Sequence, residues 1–98
     1  MWQLRERAHP VLTEEGGAIL DEVTGHWTYL APTAAAAVML LLASTSEAQA
    51  ATRYAARYRI GAEQAARDVT TVADTLTRHG LAVAEPAPPR RHWWRWWR

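Results

Sequence analysis

The 98-residue chain contains no cysteine and no lysine. Without cysteine, the chain can form neither a disulfide framework nor a thiolate nucleophile or metal site. The absence of lysine, together with abundant alanine, is typical of the coding bias of a GC-rich genome and carries no functional signal. At this length we expect one domain with a modest core.

The sequence also has no long apolar run. The longest is AAAAVMLLLA at residues 34–43, about half of the roughly 20 residues that a membrane-spanning helix needs. It starts too late for a signal peptide, and acidic residues precede it instead of a cationic region. We therefore expect a buried helix here, and a cytoplasmic protein.

Acidic residues are absent from the C-terminal end of the chain. All ten lie before Pro89 and outnumber the seven arginines there, so this part has a net charge of −3. The last nine residues, RRHWWRWWR, hold four arginines and four tryptophans. A weakly acidic body argues against a dedicated nucleic-acid-binding domain, which needs a cationic surface on the fold itself.

The first third of the chain has the pattern of three short antiparallel strands. Pro10 favours an edge strand, and turn residues at Gly16, Gly17 and Gly25 separate the apolar segments. Aromatic and β-branched residues mark the third segment, which Pro32 ends. The predicted strands are residues 2–13, 18–23 and 26–31.

The remainder up to about residue 80 has helical patterns. Ser46 followed by Gln49 is a capping-box pattern, and Gly80 is a helix stop signal. Apolar residues at helical spacing mark the last helix: Ala65, Val69, Val72 and Leu76. The predicted helices run from Ala31 or Thr33 to about Ala43, from Ser46 to a break at Ile60 and Gly61, and over 62–79. Strands followed by helices predict an α+β fold with a small sheet packed on three helices.

No group of residues predicts catalysis, a cofactor or a metal site. The histidines at positions 9, 26, 79 and 92 show no metal-binding spacing. The paired acids lie at predicted turns, and the two serines lie at a helix start, where capping explains them. We therefore predict a binding protein that is not an enzyme.

The order of these features resembles the PqqD family, also called RiPP recognition elements, and most of all the stand-alone PqqD-like proteins of lasso-peptide biosynthesis. The resemblance covers residues 2–84. The matching positions are Gly16 and Gly17, 18–21, Thr24 and Gly25, 27–30, Pro32 and Thr33, Asp68 and Val69, and Gly80 and Leu81. Three positions depart from the family pattern: Ala31 replaces asparagine, Ala34 replaces glycine, and Gly61 replaces a capping aspartate.

The resemblance implies a winged-helix-like fold, with a three-stranded antiparallel sheet followed by three helices. It places the recognition domain at residues 1–84, and leaves residues 85–98 as a Pro-rich linker and an Arg/Trp-rich tail, predicted to be disordered. In the family, the leader segment of a ribosomally made precursor peptide, typically with a Tyr-x-x-Pro motif in lasso systems, adds as a strand beside the third one. A separate leader protease, or a cyclase, is the second implied partner.

The implied peptide-binding residues lie on the third strand and on the third helix. On the strand they are His26, Trp27, Thr28, Tyr29 and Leu30, and on the helix they are Asp68, Thr71, Val72 and Thr75. Strand alternation puts Trp27 and Tyr29 on one face, and Thr28 and Leu30 on the other. Two alternatives remain open: the aromatic side chains pack in the core or on the outer sheet face, and Asp68 faces water in an early helical turn.

The Arg/Trp-rich tail leaves further alternatives open. It is a simple extension, a docking segment for the protease or cyclase, a membrane-surface segment, or a nucleic-acid contact. Membrane contact has no further support in the sequence, and acids on the third helix at Glu63, Asp68 and Asp74 oppose binding of nucleic acid. The alternative function within the family is a peptide chaperone of the pyrroloquinoline-quinone pathway. The alternative from another class is a membrane- or nucleic-acid-associated adaptor that acts through the tail.

Overall fold

Residues 2–84, the part of the chain that the computed structural model describes, form five strands and three helices. In chain order they are β1 (Trp2–Leu4), β2 (Ala8–Thr13), β3 (Gly16–Asp21), β4 (Trp27–Leu30), α1 (Pro32–Ala43), α2 (Glu47–Tyr58), α3 (Ala62–Arg78) and β5 (Ala82–Ala84). Strands β2, β3 and β4 are antiparallel neighbours in that order. This confirms the predicted three-stranded sheet followed by three helices. The predicted linker and tail at 85–98 lie outside the described residues.

The prediction of one continuous strand over residues 2–13 is wrong, because the chain turns after Leu4. The amide of Ala8 donates to the carbonyl of Arg5 at 3.0 Å and closes this turn. Strand β1 leaves the main sheet and pairs with β5, with Trp2 opposite Ala84. The indole N–H of the buried Trp2 donates to the Ala73 carbonyl at 3.1 Å. Burial of this large ring on α3 stabilises the separate pair of strands.

Two tight turns shape the main sheet. Gly16 has φ 132°, and a Cβ there would lie 2.9 Å from the Leu30 carbonyl oxygen, so glycine permits the close approach of β3 and β4. At the second turn, the Asp21 carboxylate accepts hydrogen bonds from the amides of Val23 at 2.9 Å and Thr24 at 3.4 Å. The amide of Gly25 donates to the Asp21 carbonyl at 2.7 Å.

The apolar run predicted to be a buried helix is α1, which packs on β2 and β3 and on both other helices. Its buried residues are Ala35, Ala36, Ala37, Val38 and Leu41. The three buried alanines have small side chains and let neighbouring elements approach closely. Pro32 occupies the first helical turn, and Ala31, the N-cap residue, has no side chain that can accept a hydrogen bond. None of the helices within residues 2–84 is long and apolar enough to cross a membrane.

Helix α2 begins as the capping-box pattern predicts, with one difference. The Ser46 hydroxyl accepts from the Gln49 amide at 3.0 Å, but the Gln49 side chain accepts from the amide of Thr45, not of Ser46. The helix ends at Arg59, a non-glycine residue with φ 55° in the left-handed region. Such a position favours glycine, so Arg59 carries local strain.

Helix α3 ends at Gly80 as predicted. The amide of Leu81 donates to the Leu76 carbonyl, and that of Gly80 to the Thr77 carbonyl, each at 3.0 Å, which is a Schellman motif. The buried stripe of the helix differs from the prediction at one position. Its members are Ala65, Val69, Ala73 and Leu76. Val72 is only half-buried and packs against the core from the border of the helix surface, and Ala73 takes the fully buried position that the stripe assigned to Val72.

Candidate functional site

Strand β4 is an edge of the main sheet with free hydrogen-bonding groups. The amide of Asp21 donates to the His26 carbonyl at 2.9 Å, and Ile19 lies opposite Thr28 two residues further along. Hydrogen-bonded and non-hydrogen-bonded pairs alternate along an antiparallel ladder. The backbone N–H and C=O groups of Trp27 and Tyr29 therefore point away from β3, toward the open edge.

The opposite edge, formed by β2, offers few donors. By the same alternation, the outward amide positions of β2 are those of Ala8, Pro10 and Leu12. The Ala8 amide is already bonded to the Arg5 carbonyl, and Pro10 has no N–H. Only the Leu12 amide remains for a further strand. An added strand finds two regular donor and acceptor pairs on β4 and no comparable row on β2.

The side chains of β4 divide between two faces, as the alternation predicted. Trp27 and Tyr29 are exposed to 46% and 79% on the face away from the helices, whereas Thr28 and Leu30 are half-buried on the inner face. A shallow cavity of about 500 Å³, here called the sheet cavity, lies on the outer face and is lined in part by Val11, Ala18, Trp27 and Tyr29. This exposure excludes the core for both aromatic side chains and leaves them on the outer sheet face.

A second cavity, here called the α3 cavity, lies beyond the Leu30 end of β4. It measures about 330 Å³ and is lined by Thr33, Ala34, Tyr54, Asp68, Thr71 and Val72. Asp68 is half-buried and accepts a hydrogen bond from the Gln64 side-chain amide at 2.8 Å. Among the described residues, no cationic side chain pairs with this carboxylate. The cavity wall is therefore polar and carries an unneutralised negative charge.

Tyr54 brings a phenol to the wall of the α3 cavity from the buried side of α2. Burial raises the pKa of Tyr54, the negative charges of Asp68 and an ionised Tyr58 raise it further, and a hydrogen bond from Thr33 opposes them. The phenol therefore remains protonated at neutral pH and can donate a hydrogen bond. Tyr54 also packs on the Tyr58 ring, with centroids 4.7 Å apart.

A third cavity, here called the turn cavity, lies at the other end of β4 and measures about 310 Å³. Arg7, Asp21 and Thr24 form one side, and His79 and Leu81 from the end of α3 form another. Strand β4 and the residue before it contribute Thr28 and His26. The inner face of β4 is therefore flanked by one cavity beyond each end.

The structure groups most of the predicted peptide-binding residues around β4. Trp27 and Tyr29 line the sheet cavity, His26 and Thr28 the turn cavity, and Asp68, Thr71 and Val72 the α3 cavity. Leu30 packs against the core, and Thr75 lies outside these cavities, with its hydroxyl donating to the Thr71 carbonyl at 2.8 Å. That these nine residues contact a peptide remains a prediction.

Sequence reasoning did not select Arg7 or Tyr54, although both line the cavities. Arg7 lies in what was predicted to be a continuous edge strand, and its neighbours His79 and Leu81 come from the far end of the chain. Tyr54 follows the spacing of a core residue on α2. A buried tyrosine one turn from a second tyrosine is the only local signal, and it indicates packing rather than binding.

Two solved structures resemble this fold. One is described as lasso peptide synthetase B1 complexed with the leader peptide; it is 29% identical, has a TM-score of 0.74, and the match covers 84% of this chain and 96% of that one. The other is TbiB1 in complex with the TbiA(beta) leader peptide, with 14% identity, a TM-score of 0.75, and coverage of 86% and 98%. No curated protein matches the sequence significantly.

The sequence itself matches one protein family. Residues 16–82, from the first tight turn of the sheet to the start of β5, match the family described as coenzyme PQQ synthesis protein D. This range includes β3, β4 and all three helices, and therefore the open edge and the α3 cavity. The chain belongs to the PqqD family.

Proposed function

We propose that this protein binds the leader segment of a ribosomally made precursor peptide as an extra strand along β4, in lasso-peptide biosynthesis. The observation that carries the proposal is the open β4 edge, with the free backbone groups of Trp27 and Tyr29 between two cavities. Strand addition to such an edge gives affinity through main-chain hydrogen bonds and selectivity through side-chain pockets. The similarity to a lasso peptide synthetase B1 solved with its leader peptide supports the choice of ligand.

The geometry on both sides of β4 supports a selective site. Alternate side chains of an added strand face opposite sides of the sheet. One set would lie beside Trp27 and Tyr29, whose exposed rings would cover them. The other set would face α3, with His26 and Thr28 near one end of the bound segment. Asp68, Thr71 and Val72 would line the other end, and Thr75 would follow them along α3 toward His79.

The bound leader would then pass to a partner enzyme. The protein presents it to a separate leader protease, or to a cyclase, in the cytoplasm, and performs no chemistry itself. Residues 1–84 form the recognition domain, and residues 85–98 are an accessory linker and tail. The tail would serve the partner enzyme rather than the leader, since tryptophan and arginine are common interface anchors.

A second candidate function follows from the family description. PqqD proteins are described by their part in coenzyme PQQ synthesis, so the peptide bound on β4 would then be the precursor of that pathway. The same edge and cavities would hold it, and the protein would pass it to a radical enzyme. The lasso assignment is favoured because the 29% identical structure is a lasso peptide synthetase B1.

The test is a fluorescence-polarisation titration with a labelled Tyr-x-x-Pro leader and, separately, the precursor peptide of the PQQ pathway. The full chain and a version ending at Pro89 are compared at two salt concentrations. We expect both proteins to bind the Tyr-x-x-Pro leader at micromolar concentration or below, and to lose it when the leader tyrosine is replaced. Binding that needs the tail and weakens with added salt would place the ligand away from the β4 edge and contradict the proposal. Binding of the PQQ precursor alone would favour the second function.

A further inference from the structure

We infer that the turn cavity is a subsite for an acidic side chain of the bound peptide, held by Arg7. The inference rests on the proposed function, because it assigns a chemical class to one residue of a ligand bound along β4. It concerns a cavity in which Arg7 carries the permanent positive charge and His26 and His79 form much of the remaining polar wall.

The guanidinium of Arg7 is poorly satisfied. An arginine side chain has five N–H donors and no acceptor. The only ion pair of Arg7 among the described residues is the contact of its Nη2 with the Asp21 carboxylate, at 3.4 Å. Its Nε is buried and has no hydrogen-bond partner within residues 2–84. Buried donors are nearly always bonded in folded proteins, so the Arg7 side chain has hydrogen-bonding capacity that no described residue uses.

Asp21 meets this need only in part, because its carboxylate is shared between Arg7 and the turn. Its side chain is 9% exposed, and one oxygen accepts from the amides of Val23 and Thr24 to hold the turn. The Arg7 side chain, in contrast, is 39% exposed at the cavity. The missing side chain of Gly80 leaves room for the Arg7 guanidinium, because a Cβ at Gly80 would lie 3.1 Å from Nη2 of Arg7. The accessible charge of the cavity is therefore positive.

The two cavities that flank the inner face of β4 differ in charge. Beyond Leu30, the α3 cavity presents Asp68 without a cationic partner among the described residues, so it would repel a carboxylate. At the Trp27 end, the inner-face side chain of Thr28 and the preceding His26 line the turn cavity, so an added strand would direct an inward side chain there. Of these two cavities, only the turn cavity accommodates an acidic residue, and this fixes the direction in which the peptide lies along β4.

A metal ion is a poorer occupant of the turn cavity. Although Asp21, His26 and His79 all line it, residues 2–84 bring no group of three or more histidine, aspartate or glutamate side chains together with metal-ligand geometry. Structural zinc sites normally use four protein ligands, and catalytic sites use three. A single carboxylate matches the donors of one guanidinium and can form two parallel hydrogen bonds with it.

The test uses a series of labelled peptides that share the Tyr-x-x-Pro motif and differ in one residue. A single glutamate is moved through the positions on either side of the motif, and each peptide is compared with its glutamine counterpart. At one position we expect glutamate to bind about tenfold more tightly, which corresponds to about 1.4 kcal/mol. Equal affinities within every pair would overturn the inference, while micromolar binding of the glutamine peptides would leave the proposed function intact.

Protein variants then assign the preference to a residue. Arg7→Gln should reduce the glutamate preference to about onefold, with little change in the affinity of the glutamine peptide. The control is Arg5→Gln, which removes the same charge from the exposed turn outside the cavity and should keep the glutamate preference. Circular dichroism checks that each variant folds. If Arg7→Gln does not fold, Arg7→Lys replaces it and should keep only part of the preference, because an ammonium cannot bind a carboxylate through a planar fork. An undiminished preference in the folded variant would overturn the assignment.

Discussion

Replacement of Tyr29 by proline tests strand addition directly, because it changes one backbone group of the open edge. The alternation of the β3–β4 ladder directs the Tyr29 amide outward, so the proline removes a donor that the folded protein does not use. Pro10 already occupies an equivalent outward position on β2. The variant should therefore fold, with only a modest loss of stability from the fixed φ of proline.

The expected loss of affinity has two parts. One main-chain hydrogen bond contributes about 1 kcal/mol, or roughly fivefold in the dissociation constant. Adjacent strands lie about 4.8 Å apart, and the proline ring occupies the space of the missing hydrogen, so it also prevents the close approach of the peptide. Tyr29→Ala removes the side chain alone, and a cross-strand side-chain pair contributes at most about 1 kcal/mol. We expect Tyr29→Pro to bind at least about tenfold more weakly than Tyr29→Ala.

Fluorescence polarisation with the Tyr-x-x-Pro leader measures both dissociation constants, and chemical denaturation confirms that both variants unfold cooperatively. The alanine variant is the matched control for the lost ring. A folded proline variant that binds as tightly as the alanine variant would show that the leader does not pair with this edge.

Three further predictions concern stability and are checked by denaturation. Ala31→Ser supplies the side-chain cap that α1 lacks and should raise the free energy of unfolding by about 1 kcal/mol; no gain would mean that the first-turn amides are already satisfied. Arg59→Gly should stabilise by roughly 1 kcal/mol relative to Arg59→Ala, since only glycine relieves the left-handed strain. Because the pKa of Tyr54 is raised, the folded state holds the phenol proton more tightly than the unfolded state does. The free energy of unfolding therefore keeps its full value below about pH 10, the pKa in the unfolded chain, and falls as the pH rises further. Tyr54→Phe should therefore flatten the fall in stability above pH 10, and an unchanged slope would contradict this.

Local patterns were sufficient for the elements whose signals lie within a few residues. Turn residues at Gly16 and Gly25 delimit the strands, and Ser46 and Gly80 mark helix ends, because caps and turns depend on side chains close in sequence. The two faces of β4 followed from its period of two. Resemblance to the PqqD family, and not periodicity, then selected the edge and the helix flank as the candidate site.

Long-range pairing is what the sequence could not disclose. Strand β5 is three small residues, with no alternation to mark it, and its partner β1 lies about eighty positions earlier. Because the β1–β5 pairing also divides the predicted first strand, the sequence could not predict that Arg7 and His79 line the same cavity. Val72 and Ala73 are adjacent on α3, and the predicted stripe contained Val72 where the structure buries Ala73. Which of the two faces the core depends on how the helix is rotated against its neighbours, and the sequence pattern does not fix that rotation.

The β1–β5 pair also limits the order in which the elements can fold during synthesis. Trp2 finds its acceptor, the Ala73 carbonyl, 71 residues later, and its strand partner later still. At synthesis rates of about 5–20 residues per second, the indole waits roughly 4–14 s before that carbonyl has been made. The first strand is therefore among the last elements to dock, and the Trp2 ring has no complete binding surface until synthesis has passed β5.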